Sequence, residues 1–234
     1  MSAKLSGLAA AIKKNEPENL ALEDQTILLY GREKIGKSTL AASFDKPIFL
    51  EFEAGLRNIS CDKISCPTWK HATGAVDLLR REDHGYLVVV VDTVGRAWDR
   101  CRADVLAKNG WSHEQEGGYG RGYDAIRDEF RNWFDALVNL GLGVVLIAHD
   151  QSEEITKPTK VVSYTSAKLD KRCRSIIVPE VEMVLFADTE TTKDGTTRVL
   201  RTKRTEYFEA GDRSGRLPES IPLSIEALRE GYGK

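Results

Sequence analysis

A nine-residue segment from Gly31 to Thr39, with the letters GREKIGKST, constrains the fold of this chain more than any other feature. It matches the phosphate-binding loop pattern G-x4-G-K-[ST] at every fixed position. It follows an apolar run over residues 26–30 and precedes a segment suited to a helix, residues 40–44. Backbone N–H groups of such a loop converge on one anion, and the following helix adds positive potential. The segment therefore predicts a strand–loop–helix unit that holds the phosphates of a nucleoside triphosphate.

The two residues that directly follow the second glycine of this loop are expected to make the main contacts with the phosphates and the metal. Lys37 is expected to reach the β- and γ-phosphates, and the Ser38 hydroxyl to ligate Mg²⁺. Contacts to the nucleotide are predicted along the whole loop, which consists of Gly31, Arg32, Glu33, Lys34, Ile35, Gly36, Lys37, Ser38 and Thr39. A nucleoside triphosphate and Mg²⁺ are therefore the predicted cofactors.

Length and composition favour one domain in the cytoplasm. The 234 residues fit a single α/β domain with small additions. A formal net charge of −2 argues against a basic coat over the whole surface, but it leaves room for a local basic patch. The cysteines show neither a C-x2-C pair nor zinc-site spacing, which indicates free thiols in a reducing compartment; they are Cys61, Cys66, Cys101 and Cys173. Residues 5–12 are too short and too interrupted for a signal sequence, and no run approaches a membrane span.

The N-terminal residues form a separate pattern. Apolar residues at helical spacing between residues 2 and 14 predict a short amphipathic helix, which ends before Pro17. We therefore divide the chain into an extension, residues 1–19, and one domain, residues 20–234. Two interpretations of the helix stay open: it packs on its own domain, or it docks on a neighbouring subunit.

From residue 20 onward, apolar runs alternate with helical stretches, which predicts a parallel sheet with crossover helices. Residues 86–91 and 142–147 are apolar without alternation, as in strands buried on both faces. Strands are predicted at 26–30, 47–52, 62–65, 86–92, 142–148, 181–187 and 197–203. Helices are predicted at 37–44, 69–82, 94–108, 122–140 and 224–230. Two stretches have no clear pattern: a glycine-rich loop, 111–122, and a basic segment, 155–174.

Polar residues follow three of the predicted strands. Because ligands bind at the carboxyl edge of open α/β sheets, Asp92 is expected to contact Mg²⁺ through water, or else to cap the next helix. Glu51 and Glu53 lie on one face, so spacing alone does not decide which of them orients the attacking water. His149 is expected to sense the γ-phosphate, although a lone histidine is usually a structural hydrogen-bonding residue.

The order of these motifs resembles the RecA-like ATPase core over residues 24–218. The motifs are the phosphate-binding loop, FLEFEAG at 49–55, VVVVDT at 88–93 and LIAH at 146–149. Within that class, the chain resembles the short recombinase-like ATPases that phages encode. The resemblance implies a mostly parallel central sheet flanked by helices, and it makes Glu53, not Glu51, the catalytic glutamate. The corresponding sensor is commonly Gln in the family, and His149 departs from that pattern.

The resemblance also implies partners. RecA-like ATPases often complete the site with a basic residue of the neighbouring subunit in a ring or filament. Lys203 and Arg204, beside Arg201 on the predicted late strand, are candidates for that role, and Arg213 is a second possibility. The alternative is a solvated basic strand edge.

A surface for single-stranded DNA is predicted in the basic segment, because recombinases of this class place a DNA-contacting loop after the sensor strand. The candidate residues are Lys157, Lys160, Tyr164, Lys168, Lys171, Arg172 and Arg174. The alternative is a solvated charged face. The glycine-rich loop is predicted to stack on bases or to contact another subunit.

Three hypotheses follow. The first is a recombinase or annealing protein that binds single-stranded DNA, hydrolyses ATP at a subunit interface with stimulation by DNA, and has a single-strand-binding protein as partner. The second is a small-molecule or nucleotide kinase, with a lid containing Arg121, Arg127 and Arg131. The third is a nucleotide-gated accessory ATPase of replication or packaging.

Overall fold

The computed structural model describes residue 12 and residues 20–157, 160–193 and 195–233. The predicted N-terminal helix lies outside the described residues, apart from Ile12. The structure thus bears on the predicted domain and not on its extension.

Strands and helices alternate along the described chain. The strands are β1 Thr26–Gly31, β2 Pro47–Glu51, β3 Asp62–Ser65, β4 Val88–Asp92, β5 Gly143–Ala148, β6 Asp150–Lys157, β7 Lys160–Ala167, β8 Met183–Thr192, β9 Gly195–Arg201, β10 Gly211–Asp212 and β11 Ser220–Pro222. The helices are α1 Lys37–Ala41, α2 Trp69–Arg81, α3 Val94–Asn109, α4 Arg121–Val138, α5 Lys171–Glu180 and α6 Ile225–Tyr232. Two short 3-10 turns lie at Leu22–Asp24 and Glu114–Gly117.

Nine of the described strands form one central sheet. Its order is β11-β9-β8-β1-β5-β4-β2-β3, with β10 paired to β8. The pairs from β8 across to β3 are parallel, whereas β9, β10 and β11 add antiparallel partners at the other edge. The strand that precedes the phosphate-binding loop, β1, therefore lies between β5 and β8. This confirms the predicted α/β fold with a mostly parallel central sheet.

Alternate residues of the central strands enter two separate cores. In β4, Val89 and Val91 pack on the face covered by α2 to α5, whereas Val88 and Val90 pack on the face covered by α1 and α6. Successive side chains of a strand point to opposite faces, so a strand covered on both sides is apolar throughout. Every residue of β4 and β5 is buried, which confirms the interpretation of these two runs. The four cysteines are free thiols, also as predicted.

The basic segment is the largest difference from the predicted structure. The chain forms an antiparallel hairpin of β6 and β7 followed by α5, where sequence patterns gave no assignment. Nearly all of the described β6 side chains are exposed, so this strand carries no apolar period. A helix was missed because α5 is short and contains Pro179 near its end. Its start is nevertheless well defined: the Asp170 carboxylate accepts a hydrogen bond from the Arg172 N–H at 2.8 Å.

Candidate nucleotide-binding site

Two glycines give the phosphate-binding loop its shape. A Cβ atom at Gly31 would lie 2.4 Å from the carbonyl oxygen of Ala187 on β8, so only glycine lets β1 and β8 approach this closely. Gly36 has a φ of 115°, which residues with side chains rarely adopt, and it starts α1. The loop therefore turns directly from the end of the central strand into a helix.

Lys37 lies folded over the loop. Its Nζ donates hydrogen bonds to the carbonyl oxygens of Gly31 at 2.7 Å and Arg32 at 2.8 Å, and the side chain is buried. Burial lowers the pKa of this ammonium group, while the nearby carboxylates of Asp150 and Asp92 oppose that shift. An ammonium group held in a poorly solvated loop is well suited to bind a phosphate anion.

Ser38 and Asp92 meet across the site. The Ser38 hydroxyl donates to Oδ2 of Asp92 at 2.8 Å, and the carboxylate is 5% exposed. Burial raises the pKa of the Asp92 carboxyl, and the hydrogen bond from Ser38 acts in the opposite direction. The helix-capping alternative fails, because Thr93 occupies the N-cap position of α3. A hydroxyl beside a carboxylate is a donor set of hard oxygen atoms, which fits Mg²⁺.

The two glutamates after β2 have different surroundings. Glu53 places Oε1 3.2 Å from Nε2 of His149, and its Oε2 accepts a hydrogen bond from Nε of Arg96 at 3.2 Å. Glu51 is instead paired with Lys63 on the neighbouring strand β3, with an N–O distance of 2.8 Å. The structure thus brings Glu53 to the site and leaves Glu51 outside it.

A cavity of about 500 Å³ connects these groups. Its walls include loop residues on one side and Glu53, Asp92 and His149 on the other. A volume of this size accommodates a nucleotide-sized ligand. Among the described residues, Nδ1 of His149 is buried without a hydrogen-bond partner, so this ring has a polar atom left to bind. The residues present therefore fit a nucleoside triphosphate with Mg²⁺.

The predicted trans-acting cations lie away from this cavity. Because β9 ends at Arg201, Lys203 and Arg204 occupy an exposed loop after the strand and not the strand itself. The guanidinium of Arg204 lies 5.8 Å from the ring centroid of Tyr164. Arg201 is paired with Asp188 and Glu190, and Arg213 with Glu182, all in the same chain.

Several side chains of the basic segment have partners within the fold. Lys160 is paired with Glu206 at 2.7 Å, Arg174 with Glu209, and Arg172 lies 4.0 Å from the ring centroid of Tyr123. Tyr164 is 9% exposed, so its ring is not presented to a base. Lys168 and Lys171 are exposed, and the side chain of Lys157 lies outside the described residues.

A second cavity, of about 610 Å³, adjoins the first at Thr93 and His149. Three cationic side chains, Arg96, Arg102 and Lys168, and two acidic ones line it together with Trp98. We call this space the basic cavity. It lies beside the carboxyl end of β5, where the backbone N–H of Lys168 donates to the carbonyl oxygen of His149 at 2.8 Å.

Sequence patterns missed two arginines that contact the site. Arg96 lies in the first turn of α3, close to the end of β4 in sequence. Arg198 on β9 donates through Nη1 to the carbonyl oxygen of Ile35, at 3.2 Å, and so supports the phosphate-binding loop from 163 residues away. No local pattern reports such a contact.

The fold and the site together define a RecA-like P-loop ATPase. A family model described as an AAA domain (AAA_24) matches residues 23–214. The chain therefore belongs to this AAA-domain family. No curated protein sequence is significantly similar to the chain.

Two solved structures show similar folds at low identity. The KaiC-like protein PH0186 from Pyrococcus horikoshii OT3 is 14% identical, with a TM-score of 0.48, over 86% of this chain and 85% of that one. The RadB recombinase is 15% identical, with a TM-score of 0.45, over 81% and 84%. In the part of the chain that the structure describes, no helix has both the length and the apolar character to cross a bilayer.

Proposed function

We propose that the chain is a Mg²⁺-dependent ATPase that binds single-stranded DNA and acts in recombination or strand annealing. The observation that carries this proposal is the position of the basic cavity, which shares Thr93 and His149 with the nucleotide cavity. An anionic polymer bound there would touch the residue that faces the γ-phosphate. His149 would then contact both ligands and so couple the binding of DNA to the hydrolysis of ATP.

The proposed hydrolysis uses five side chains. Lys37 binds the β- and γ-phosphates, and Ser38 with Asp92 would hold Mg²⁺, which neutralises phosphate charge when bound. Glu53 orients the attacking water and accepts its proton, because its residue lines the cavity opposite the phosphate-binding loop. His149 contacts the γ-phosphate from the end of β5.

We place the ATP at a subunit interface of a ring or filament. Within the described residues, Lys203 and Arg204 line neither cavity of their own chain, so either would act in a neighbouring subunit. A cation that reaches the γ-phosphate in trans stabilises the charge of the transition state. Their exposure in the loop after β9 leaves both available for such a contact.

The proposed DNA surface differs from the predicted one. It consists of the basic cavity and the exposed start of α5. Lys168 and Lys171 have no ion-pair partner among the described residues, and Arg96 and Arg102 line the cavity, although each is paired with acids of its own chain. Lys160 and Arg174 are neutralised by glutamates, and Tyr164 is buried. A single-strand-binding protein remains a proposed partner.

The kinase hypothesis has less support. Arg127 is paired with Asp124 and Asp128 on its own helix, α4. Among the described residues that line the two cavities, neither Arg121, Arg127 nor Arg131 appears. A lid with clustered arginines over an acceptor is therefore not formed here.

Steady-state ATP hydrolysis with and without oligothymidylate, at low and moderate salt, tests the proposal. We expect stimulation that weakens as salt rises, because phosphate contacts release counterions. Hydrolysis that ignores the oligonucleotide at both salt concentrations would refute DNA binding as the function. Transfer of phosphate to an acceptor other than water would favour the kinase.

A further inference from the structure

Arg96 connects the two cavities. Its Nε donates to Oε2 of Glu53 at 3.2 Å, its Nη1 to Asp99 at 3.4 Å, and its side chain also lines the basic cavity. Both oxygens of the Glu53 carboxylate are thereby engaged, one by Arg96 and one by His149. A guanidinium bound to this carboxylate takes one of its acceptor positions and fixes its orientation, so it competes with the attacking water for the carboxylate.

The contact between Arg96 and Glu53 is easily broken. The side chains are 58% and 31% exposed, and ion pairs at such positions stabilise weakly. Arg96 is the one residue of the pair that faces the basic cavity, so an anion bound there competes directly with Glu53 for the guanidinium. Only the guanidinium has to move for this exchange, and the backbone of Arg96 stays in its helix.

The lining of the basic cavity favours the phosphodiesters of single-stranded nucleic acid as that anion. Lys168 has no ion-pair partner among the described residues and offers a free charge. Arg102 is held by Glu114 of the glycine-rich loop, so this loop is attached to a residue that lines the cavity. Tyr119 on the same loop is fully exposed, and an exposed aromatic ring suits stacking of an unpaired base.

We propose that Arg96 holds Glu53 inactive, and that a nucleic-acid phosphate in the basic cavity draws Arg96 away and frees Glu53 to act on water. This inference rests on the proposed function of the nucleotide site and adds the residue that regulates it. Arg96 is thus a positioning residue, which acts through Glu53.

The decisive variant is Arg96→Ala, with Arg80→Ala as control, because Arg80 is a similarly exposed, ion-paired arginine on α2. Without DNA, Arg96→Ala should raise kcat by about two- to fivefold, the range expected for release of a weak ion pair, and leave KM for ATP unchanged. Oligothymidylate should stimulate it no further. A lower kcat in Arg96→Ala, or stimulation equal to that of the unmodified chain, overturns the proposal.

A binding measurement separates this idea from the proposed function. Lys168→Ala should weaken oligothymidylate binding, followed by fluorescence anisotropy, whereas Arg80→Ala should not. If oligothymidylate neither binds nor stimulates the unmodified chain, the proposed DNA function is wrong, and a raised kcat in Arg96→Ala still supports restraint by Arg96. Equal stimulation by polyglutamate overturns the nucleic-acid occupant and indicates an acidic protein partner.

Discussion

The nucleotide site and the basic hairpin region, residues 150–174, differ in whether their charged groups converge on one point or are paired with other parts of the fold. At the nucleotide site, Lys37 and Ser38 at the start of α1 converge with Asp92 at the end of β4, and their polar atoms are turned inward. In the hairpin region, cations that are dense in sequence are partly neutralised by acids from other segments, as Lys160 is by Glu206. Spacing within a motif therefore predicts function better than local charge does.

Glu53→Gln should have the largest effect on the nucleotide side of this comparison. The amide keeps the size of the side chain but does not accept a proton, so ATP hydrolysis should fall roughly 100- to 10,000-fold while ATP still binds. Glu51→Gln is the matched control, because Glu51 is paired with Lys63 outside the cavity. If single-turnover assays showed comparable losses of hydrolysis in both variants, the assignment of catalysis to Glu53 and not to Glu51 would be wrong.

Lys37→Ala should cost slightly less. Loss of the ammonium group removes charge stabilisation of the phosphates, and we expect turnover to fall by roughly 100- to 1,000-fold. Circular dichroism should show a folded protein, because the change removes two hydrogen bonds to loop carbonyls and leaves both apolar cores intact. Unchanged hydrolysis would contradict the assignment of the phosphate-binding loop.

Asp92→Asn should raise the free energy of unfolding and at the same time lower ATP hydrolysis. Burial raises the pKa of this carboxyl in the folded state, so its ionised form reduces stability at neutral pH. The penalty is absent below the unfolded-state pKa and grows as pH rises through the folded-state pKa. We expect a gain of about 1 kcal/mol in the free energy of unfolding at pH 7.5, and less at pH 4.5.

Urea titrations without nucleotide or Mg²⁺ measure this gain. Asp77→Asn is the control, since Asp77 is half exposed and forms only a surface pair with Arg80. A stability of Asp92→Asn below that of the parent at neutral pH would mean that the hydrogen bond from Ser38 outweighs the cost of burial.

The smallest expected effect is on DNA binding, and it compares an unpaired cation of the hairpin region with an ion-paired one. Lys168→Ala should weaken oligothymidylate binding by about threefold and reduce its salt dependence by roughly one phosphate contact. Lys160→Ala should change neither, because Lys160 is already paired with Glu206. Equal losses in anisotropy titrations would restore the whole basic segment as the DNA surface.

Sequence predicted the central fold well and the site in part. The runs that became β4 and β5 have one composition because both of their faces are buried, so their position could be predicted directly. Position at strand ends likewise identified Asp92 and His149. Arg198 could not be predicted, because its contact with the Ile35 carbonyl depends on how β9 pairs with β8 across the sheet. Burial of Tyr164 depends in the same way on β7 packing against the fold.

The hairpin leaves the core and returns to the same point. Asp150 at its start pairs with Ala167 at its end, and Lys168 closes the gap with a hydrogen bond to His149. The outer part carries the exposed side chains of Ile155 and Val161, whereas Ser166 and Ala167 are buried at the base. Because the two ends of the hairpin are adjacent, another hairpin or a fused domain can replace its outer part without changing the path of β5. The same ATPase core could in this way be directed to a different substrate.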